Sequence, residues 1–458
     1  MSRGMHSQAS ERGNTAPMIA PLLVLAGALL SSWSLAAASP ARHIDSARLE
    51  ATLRKLSEFG AEPDGGVSRI GFSEADLAGR AYVTALMRDA GLTVHVDAAG
   101  NIFGRRPGTA SLPVLLFGSH IDSVPHGGNF DGDVGSLGAI EVVRALNDRR
   151  IETRHPLEVV VWANEEGGRF YFGSFGSDAA AGQLPADIAG RSAGSGDRLA
   201  DWLARMGGDA SRLATARIAP GSVVGYLELH IEQGGVLEEA KVPIGVVLGI
   251  VAINTRRCTA TGFANHAGTT PMNRRRDALA AASRAVLAVR EEVRAQHGRQ
   301  VGTVGWMTVE PGAINVVPGR VTFTVELRDL DEAHLEQIAG RILSQFDVIG
   351  REEQVEIRCA PPELSKAALT SPAFREVIRA AAQEAGLKTI ELPSGAGHDA
   401  QNVARLAPIG MIFVPSRGGI SHSPLEYTAP EDVANGAEVL YRALLRLDSE
   451  LDPLKAPR

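Results

Sequence analysis

Five residues with metal-ligating side chains stand at chemically suggestive places in this chain: His120, Asp131, Glu166, His230 and His422. Each lies at or just beyond the end of an apolar run, or beside a turn rich in glycine or serine. Neutral imidazoles and carboxylates are nitrogen and oxygen ligands of zinc, and they also suit manganese, cobalt or nickel. Taken singly, each has a plainer reading. His230 could be a satisfied polar group in a strand, Glu165-Glu166 a charged strand end, and His422 between Ser421 and Ser423 a surface turn. Five such coincidences in one chain point instead to a metal centre. The densest stretch is residues 118–132, GSHIDSVPHGGNFDG. There His120 and Asp122 share one face of an extended backbone. Asp131 then arrives in a turn with Gly127, Gly128 and Gly132. A polar loop at a strand end would use the same residue types, and it is the partners elsewhere that favour a metal.

Such residues need a scaffold that ends several strands in one place. Residues 114–117, 157–162 and 223–231 are apolar runs of strand length, and 134–147 has helical spacing between the first two. Strand–helix–strand with chemistry at the strand ends is the α/β pattern, and ligands gather at such ends. Before them come helical patterns at 41–60 and 74–90 and a short hairpin at 93–104. Residues 167–222 read as a long excursion over the mouth of the site.

The texture then changes. Stretches 243–263 and 301–309 alternate as antiparallel strands, and 277–296 is an amphipathic helix with Leu279, Val286, Leu287 and Val293 on one side. A strand at 316–327, a helix at 331–346 and a strand at 355–359 complete a β-α-β-β-α-β order. The α/β texture returns with a helix from Ser371, an apolar strand at 409–414 and a closing helix at 430–447. The expected architecture is an α/β catalytic domain in two parts, 41–245 and 363–450, interrupted by an α+β ferredoxin-like insert at 246–362.

A net charge of -7 and 5% aromatic residues leave no basic footprint for nucleic acid. Cys258 and Cys359 are too few for a disulfide framework, although they could pair with each other. Without a Cys-x-x-Cys, thiolate zinc fingers are excluded. Arg3 and Arg12 precede an apolar stretch, 18–38, that ends in Ala36-Ala37-Ala38. That pattern predicts an export signal over 1–38 and a periplasmic or secreted product, with a retained membrane anchor as the alternative. No later stretch approaches a second span.

Seven motifs in order, GSHIDSVPHGGNFDG, NEEGGRF, ELHIEQG, NHAGTTPM, INVVPG with ELRD, SGAGHDA and SHSPLE, resemble the hydantoinase/carbamoylase amidohydrolases. That group includes N-carbamoyl-L-amino acid hydrolase, β-ureidopropionase and allantoate amidohydrolase, among the aminoacylase and carboxypeptidase-type dinuclear metallohydrolases. The likeness runs over about residues 45–447. It implies two divalent metal ions per subunit, zinc foremost, with His120 and His230 on one, Glu166 and His422 on the other, and Asp131 bridging. Asp122 would orient the His120 imidazole and fix its tautomer, its plainer reading being a capping or turn aspartate. Glu165 would be the general base, a carboxylate close to the metals but not bound to them.

The resemblance also implies that Asn315 and Arg328 bind the substrate carboxylate, which suits the guanidinium fork. A strand-end ion pair with Asp329 or Asp331 is the plainer reading of Arg328. His266 would reach the active site of a partner subunit to stabilise an oxyanion, or else be a loop residue before a helix. Gln233 and His398 match further substrate contacts, Gln233 being equally readable as a satisfied amide at a strand exit. The insert would then build a homodimer and close as a lid.

The implied reaction is hydrolysis of a non-peptide C–N bond in an N-carbamoyl or ureido amino acid with a free carboxylate. NHAGTTPM resembles the allantoate-type version of its motif more than the SHAG form of carbamoylases. The export signal departs from the intracellular setting of most relatives. An exopeptidase or aminoacylase of the same superfamily, and a catalytically silent exported binding protein, are the competing readings. HIEQG and NHAG argue against the first. The presence of all five ligands with Glu165 argues against the second.

Overall fold

Seven consecutive buried positions, Val114–His120, carry the first metal-type residue into the protein. In a computed structural model of the chain, which describes residues 42–451 apart from Phe172, this run is β3 of a sheet that organises everything around the site. The expected export signal, 1–38, lies outside the described residues. In chain order the sheet takes β1 (Thr93–Val96), β2 (Ile102–Arg106), β3, β4 (Leu157–Trp162), β5 (Val223–Ile231) and β6 (Ile244–Ile250). A second sheet then intervenes, with β7 (Ala252–Thr261), β9 (Val301–Thr303), β10 (Met307–Glu310), β12 (Arg320–Asp329), β13 (Glu356–Cys359) and β14 (Glu363–Ser365). Between them β8 (Asn265–His266) and β11 (Val316–Val317) pair as a two-stranded ribbon. The first sheet resumes with β15 (Ala368–Leu369), β16 (Thr389–Ser394) and β17 (Ile409–Val414).

Among the described residues the first sheet has nine strands, ordered β1-β2-β4-β3-β5-β17-β6-β15 with β16 beside β6. Its centre is parallel: β3 with β4 and β5, and β17 with β5. Parallel strands are covered on both faces, which is why they read as unbroken apolar runs. Leu115 and Phe117 of β3 face a core shared with the helices Ser46–Leu56, Asp133–Asp148, Pro372–Glu384 and Pro430–Glu450. Leu116, between them, faces the opposite core with Trp162, Tyr226 and Phe413.

The second sheet runs β10-β12-β7-β13, all antiparallel, with helices Ala278–Arg294 and Glu332–Glu353 on a core of its own. Its strand–helix order is the expected split βαβ arrangement. Two details differ from expectation. Residue 246 falls inside β6, which pairs with β16 and β17 of the first sheet, so the second sheet begins at Ala252 and extends to Ser365. The buried stripe of helix Ala278–Arg294 is Ala278, Ala281, Ala282, Ala285, Val289 and Val293, whereas Leu287 is exposed. Small side chains let the helix lie close to the sheet; Val293 and Leu279 of the expected face pack on its core, and Leu287 does not. Cys258 and Cys359 sit opposite each other in β7 and β13 and form a disulfide.

The 167–222 excursion carries the short helices Phe175–Ala181 and Leu199–Arg205 on a satellite core that includes Phe72, Phe170, Phe175 and Leu203. No helix among the described residues is long and apolar enough to cross a membrane.

Candidate metal centre and active site

His120 is the last residue of β3 and His230 the last but one of β5, so both imidazoles leave the sheet at one edge. Asp131 meets them from the turn that precedes helix Asp133–Asp148. Gly132 has φ +66 in that turn, and a Cβ there would lie 2.4 Å from the His120 ring, so no larger residue fits. His120 Nδ1 donates to the Asp122 carbonyl at 3.0 Å, and His230 Nδ1 to the Ile231 carbonyl at 2.9 Å. These bonds fix the protons on Nδ1 and turn the Nε2 lone pairs inward. The Gly132 N–H, donating to His230 Nε2 at 3.3 Å, agrees with that tautomer.

Both Nε2 atoms face Asp131 Oδ1, at 3.6 Å from His120 and 3.1 Å from His230. On the other side His422 Nε2 lies 3.3 Å from Asp131 Oδ2 and 3.3 Å from Glu166 Oε1. Glu166 Oε1 is buried without a hydrogen bond. The result is two trios, His120/Asp131/His230 and Asp131/Glu166/His422, each with its ligand atoms within 4.8 Å of one another. Asp131 gives one oxygen to each. Ring nitrogens facing carboxylate oxygens need a proton or a cation between them, and with the histidines neutral this donor set fits divalent metal ions.

Electrostatics follow from the crowding. Burial opposes a charge on His120, but Asp131, Glu165 and Asp122 outweigh it and hold its pKa well above the usual value. Burial likewise works against ionised Asp131, and the three histidines overcome it to hold the carboxyl well below the usual range. Burial pushes the Glu165 carboxyl well up, His120 opposes the rise, and Asp399, Glu166 and Asp122 add to it. Glu165 Oε2 is 3.8 Å from His120 Nε2, yet Glu165 belongs to neither trio.

Asp122 does something other than expected. Its carboxylate is 3.8 Å from the His120 ring, and the tautomer is fixed by its main-chain carbonyl instead. Its two oxygens accept the backbone N–H groups of Glu165 and Glu166, each at 3.0 Å. The turn that presents them is tight: Asn164 has φ 53, Gly167 φ 80 and Gly168 φ 110. Asn and Gly tolerate that region.

The expected substrate contacts and His266 fall in four places. Gln233 Nε2 donates to Asp131 Oδ2 at 2.6 Å, which places its amide on the bridging carboxylate, while its Oε1 is buried without a partner. Arg328 reaches across from the second sheet and donates Nη1 to the Gly395 carbonyl at 2.6 Å and Nε to Glu326 at 2.8 Å. Asp329 pairs with His334 and Asp331 caps helix Glu332–Glu353, so neither is its partner. His398 is buried below the site with Nε2 on Ser394 Oγ at 2.7 Å and its ring against His230. Burial and the His230 charge lower its pKa well below the usual value. That packing sets it beside His230, with Glu228 in the same close group. His266 and Asn315 lie on the β8–β11 ribbon, where Ala267 N donates to the Asn315 carbonyl and the His266 Nδ1 accepts from Gly268. Both are exposed, and their hydrogen bonds stay within the ribbon.

Residues 116–446 match the description "Peptidase family M20/M25/M40". The crystal structure of a hydantoinase/carbamoylase family amidase from Burkholderia multivorans superposes with a TM-score of 0.83 at 40% identity, covering 89% of this chain and 99% of that one. The chain belongs to the M20 family, among its hydantoinase/carbamoylase amidases. This M20 chain is 44% identical to an N-carbamoyl-L-amino acid amidohydrolase from Geobacillus stearothermophilus, over 88% of its own length and 99% of the relative. It is 36% identical to a ureidoglycolate hydrolase from Arabidopsis thaliana, over 88% of this chain and 87% of that one. The M20 family is one of metallohydrolases.

Two residues that serve the M20 site carry no assignment from the sequence. Arg69, almost fully buried, donates to the carbonyls of Ile121, Leu56 and Phe59 and pairs with Asp133 at 2.5 Å, bracketing the metal loop from both sides. An arginine in a loop gives no sequence signal of that. Glu426 binds the loops of Asp131 and His422 together. Its signal was its place at the end of SHSPLE, four residues after His422.

Proposed function

We propose that this amidohydrolase hydrolyses the ureido C–N bond of N-carbamoyl α-amino acids. An allantoate-type ureido acid is the second candidate, favoured by the NHAGTTPM motif and the ureidoglycolate hydrolase relative. One observation carries the chemistry: Glu165 Oε2 stands 3.8 Å from His120 Nε2 and outside both trios. A carboxylate beside the metal ligands and not among them is the position of a general base.

The two trios would hold two divalent ions, zinc foremost and manganese, cobalt or nickel as others, with Asp131 between them. Ions there acidify water and polarise a carbonyl. Glu165 Oε2 takes the proton of the attacking water and returns it to the leaving nitrogen. Asp122 keeps Glu165 in place through its backbone. Arg328, now on Gly395, supplies a fork for the substrate carboxylate beside the site. Gln233 holds Asp131 from the substrate side.

A homodimer through the second sheet completes the reading, with His266 of one protomer serving the other and Asn315 beside it on the same ribbon. Exposed Phe263, Met272 and Ile314 around that ribbon support it. Export to the periplasm or beyond is supported by the N-terminal charge and apolar pattern and by the Cys258–Cys359 disulfide, a bond kept in oxidising compartments.

The test is ammonia release by the exported chain supplied with zinc or manganese. Substrates are N-carbamoyl-L-amino acids, N-carbamoyl-β-alanine and allantoate, with Glu165→Gln as control. Turnover that disappears in the control supports the reading. Cleavage of N-acyl amino acids or dipeptides alone would assign an aminoacylase or exopeptidase, and no turnover with metal bound a silent binding protein.

A further inference from the structure

The two trios are built unequally. His120 and His230 sit on central strands and are 1% exposed. His422 belongs to no strand or helix, has φ 54 and leaves 48% of its side chain exposed. Something other than the sheet must hold it at the ligand distance. Glu426 is placed to do so.

One Glu426 oxygen, Oε1, accepts the backbone N–H of Phe130 at 2.9 Å and of Asp131 at 3.1 Å. The other, Oε2, accepts Ser421 Oγ at 2.7 Å and the His422 N–H at 3.3 Å. A single buried carboxylate thus joins two loops about 290 residues apart in the chain. Ser421 Oγ also lies 2.9 Å from Asp131 Oδ2, so its one proton serves either carboxylate across the same gap. Gly128 makes room for the arrangement, because a Cβ there would fall 2.1 Å from Glu426 Oε1.

We infer that Glu426 is a positioning residue that holds His422 against Asp131 and so sets the affinity of the second metal position, Asp131/Glu166/His422. The inference rests on the two-metal reading above. Glutamine at 426 keeps the size but replaces one acceptor by a donor, so one of the two loops loses its anchor. Asp131 has other supports, since Val134 N–H bonds the Phe130 carbonyl at the start of its helix. The His422 loop is the one that loosens. Outer-shell partners of metal ligands commonly contribute roughly 10- to 100-fold in metal affinity.

The experiment is equilibrium dialysis of the exported chain against zinc, and separately manganese, with bound metal counted by elemental analysis. Wild type is expected to take two equivalents. Glu426→Gln is expected to keep one equivalent with unchanged affinity and to need roughly 10- to 100-fold more metal for the second. Ser421→Ala, which removes one arm, should weaken only the second equivalent, by less; it decides the matter should Glu426→Gln not fold. Two equivalents at wild-type affinity in both variants, or loss of both together, would overturn the proposal. Wild type binding a single equivalent would instead overturn the two-metal reading itself, and the wild-type titration alone shows which has failed.

Discussion

The Asp122 carboxylate receives the main-chain N–H of Glu165 at 3.0 Å, and its second oxygen receives that of Glu166 at 3.0 Å. The proposed base and a proposed ligand therefore hang from a residue two places after His120. Asp122→Asn leaves one of these N–H groups facing an amide NH2, which displaces the turn. We expect kcat to fall about 10- to 100-fold with KM little changed. Glu165→Gln should cost more, about 100- to 10,000-fold, with metal content retained. Steady-state kinetics beside metal analysis checks both. Equal loss in kcat and in bound metal for Glu165→Gln would make Glu165 a ligand.

Metal should stabilise as well as activate. The trios gather Asp131, Glu166 and three histidines, groups the unfolded chain cannot hold together. Binding to the folded state alone adds about 2.7 kcal/mol at a free metal concentration of 100 times Kd. Chelation is expected to abolish activity and lower the unfolding midpoint, and titrated zinc or manganese to restore both. A midpoint insensitive to metal would argue against tight binding here.

Asp76 predicts a pH dependence of its own, apart from the residues of the candidate metal centre. It is fully buried, and burial raises its carboxyl to about 6, with Arg80 and Arg69 opposing and Asp122 adding. Its ordinary value is 3.8. Between those values the folded state binds the proton that the unfolded state releases, so stability falls as pH rises through that window. The full difference is about 3 kcal/mol and is reached above pH 6. Asp76→Asn keeps an acceptor for the Phe72 N–H, which Asp76 Oδ2 accepts at 2.9 Å. Urea unfolding of the metal-free proteins should show the wild type losing stability relative to Asp76→Asn from pH 4 to pH 6.5. Parallel curves would refute the assignment.

The Cys258–Cys359 disulfide closes a loop of 101 residues around most of the second sheet. Disulfides typically contribute about 2–4 kcal/mol, and loop entropy alone gives about 4.7 kcal/mol for a loop of roughly 100 residues. Cys359→Ala, or reduction, is expected to lower the denaturant midpoint of that sheet, followed by hydrogen exchange of β7 and β12. The catalytic sheet has its own cores and should change little.

Arg328 should act on binding more than on chemistry. Arg328→Lys keeps the charge but loses the fork, so KM for a carboxylate-bearing substrate should rise about tenfold or more while kcat falls less. Esterifying the substrate carboxylate should remove most of the difference between the two proteins. A loss confined to kcat would move Arg328 out of the substrate site.

Much of the site was legible because its residues are tied to local pattern. His120 and His230 end unbroken apolar runs, and such runs make buried parallel strands whatever surrounds them. Glu165-Glu166 and Gly127 to Gly132 stand in turns whose chemistry is local. Helix Ala278–Arg294 was placed correctly along the chain, with Val293 and Leu279 packed inward as expected but Leu287 exposed and alanines making most of the buried stripe. Its burial is decided by how closely it approaches the sheet, which alanines permit and a count of leucines does not show.

What pattern could not give is which group meets which across long stretches of chain. Both the carbonyl and the carboxylate of Asp122 were within reach of His120, and only the course of the 164–168 turn drew the carboxylate away. His398 matches a substrate contact by resemblance, and only the fold shows it buried against His230. Arg69 carries no sequence signal and Glu426 only its place in SHSPLE, and both acquire their roles only when the loops at 69 and 133, or at 130 and 422, are folded together. By itself the sequence determined the residue types of the candidate centre, the strands that carry them and the α/β plan around them, because hydrophobic period and turn chemistry act over a few residues. The tertiary structure alone decided the hydrogen-bond partners, because a donor or acceptor buried from water takes whichever complement the fold brings within 3 Å.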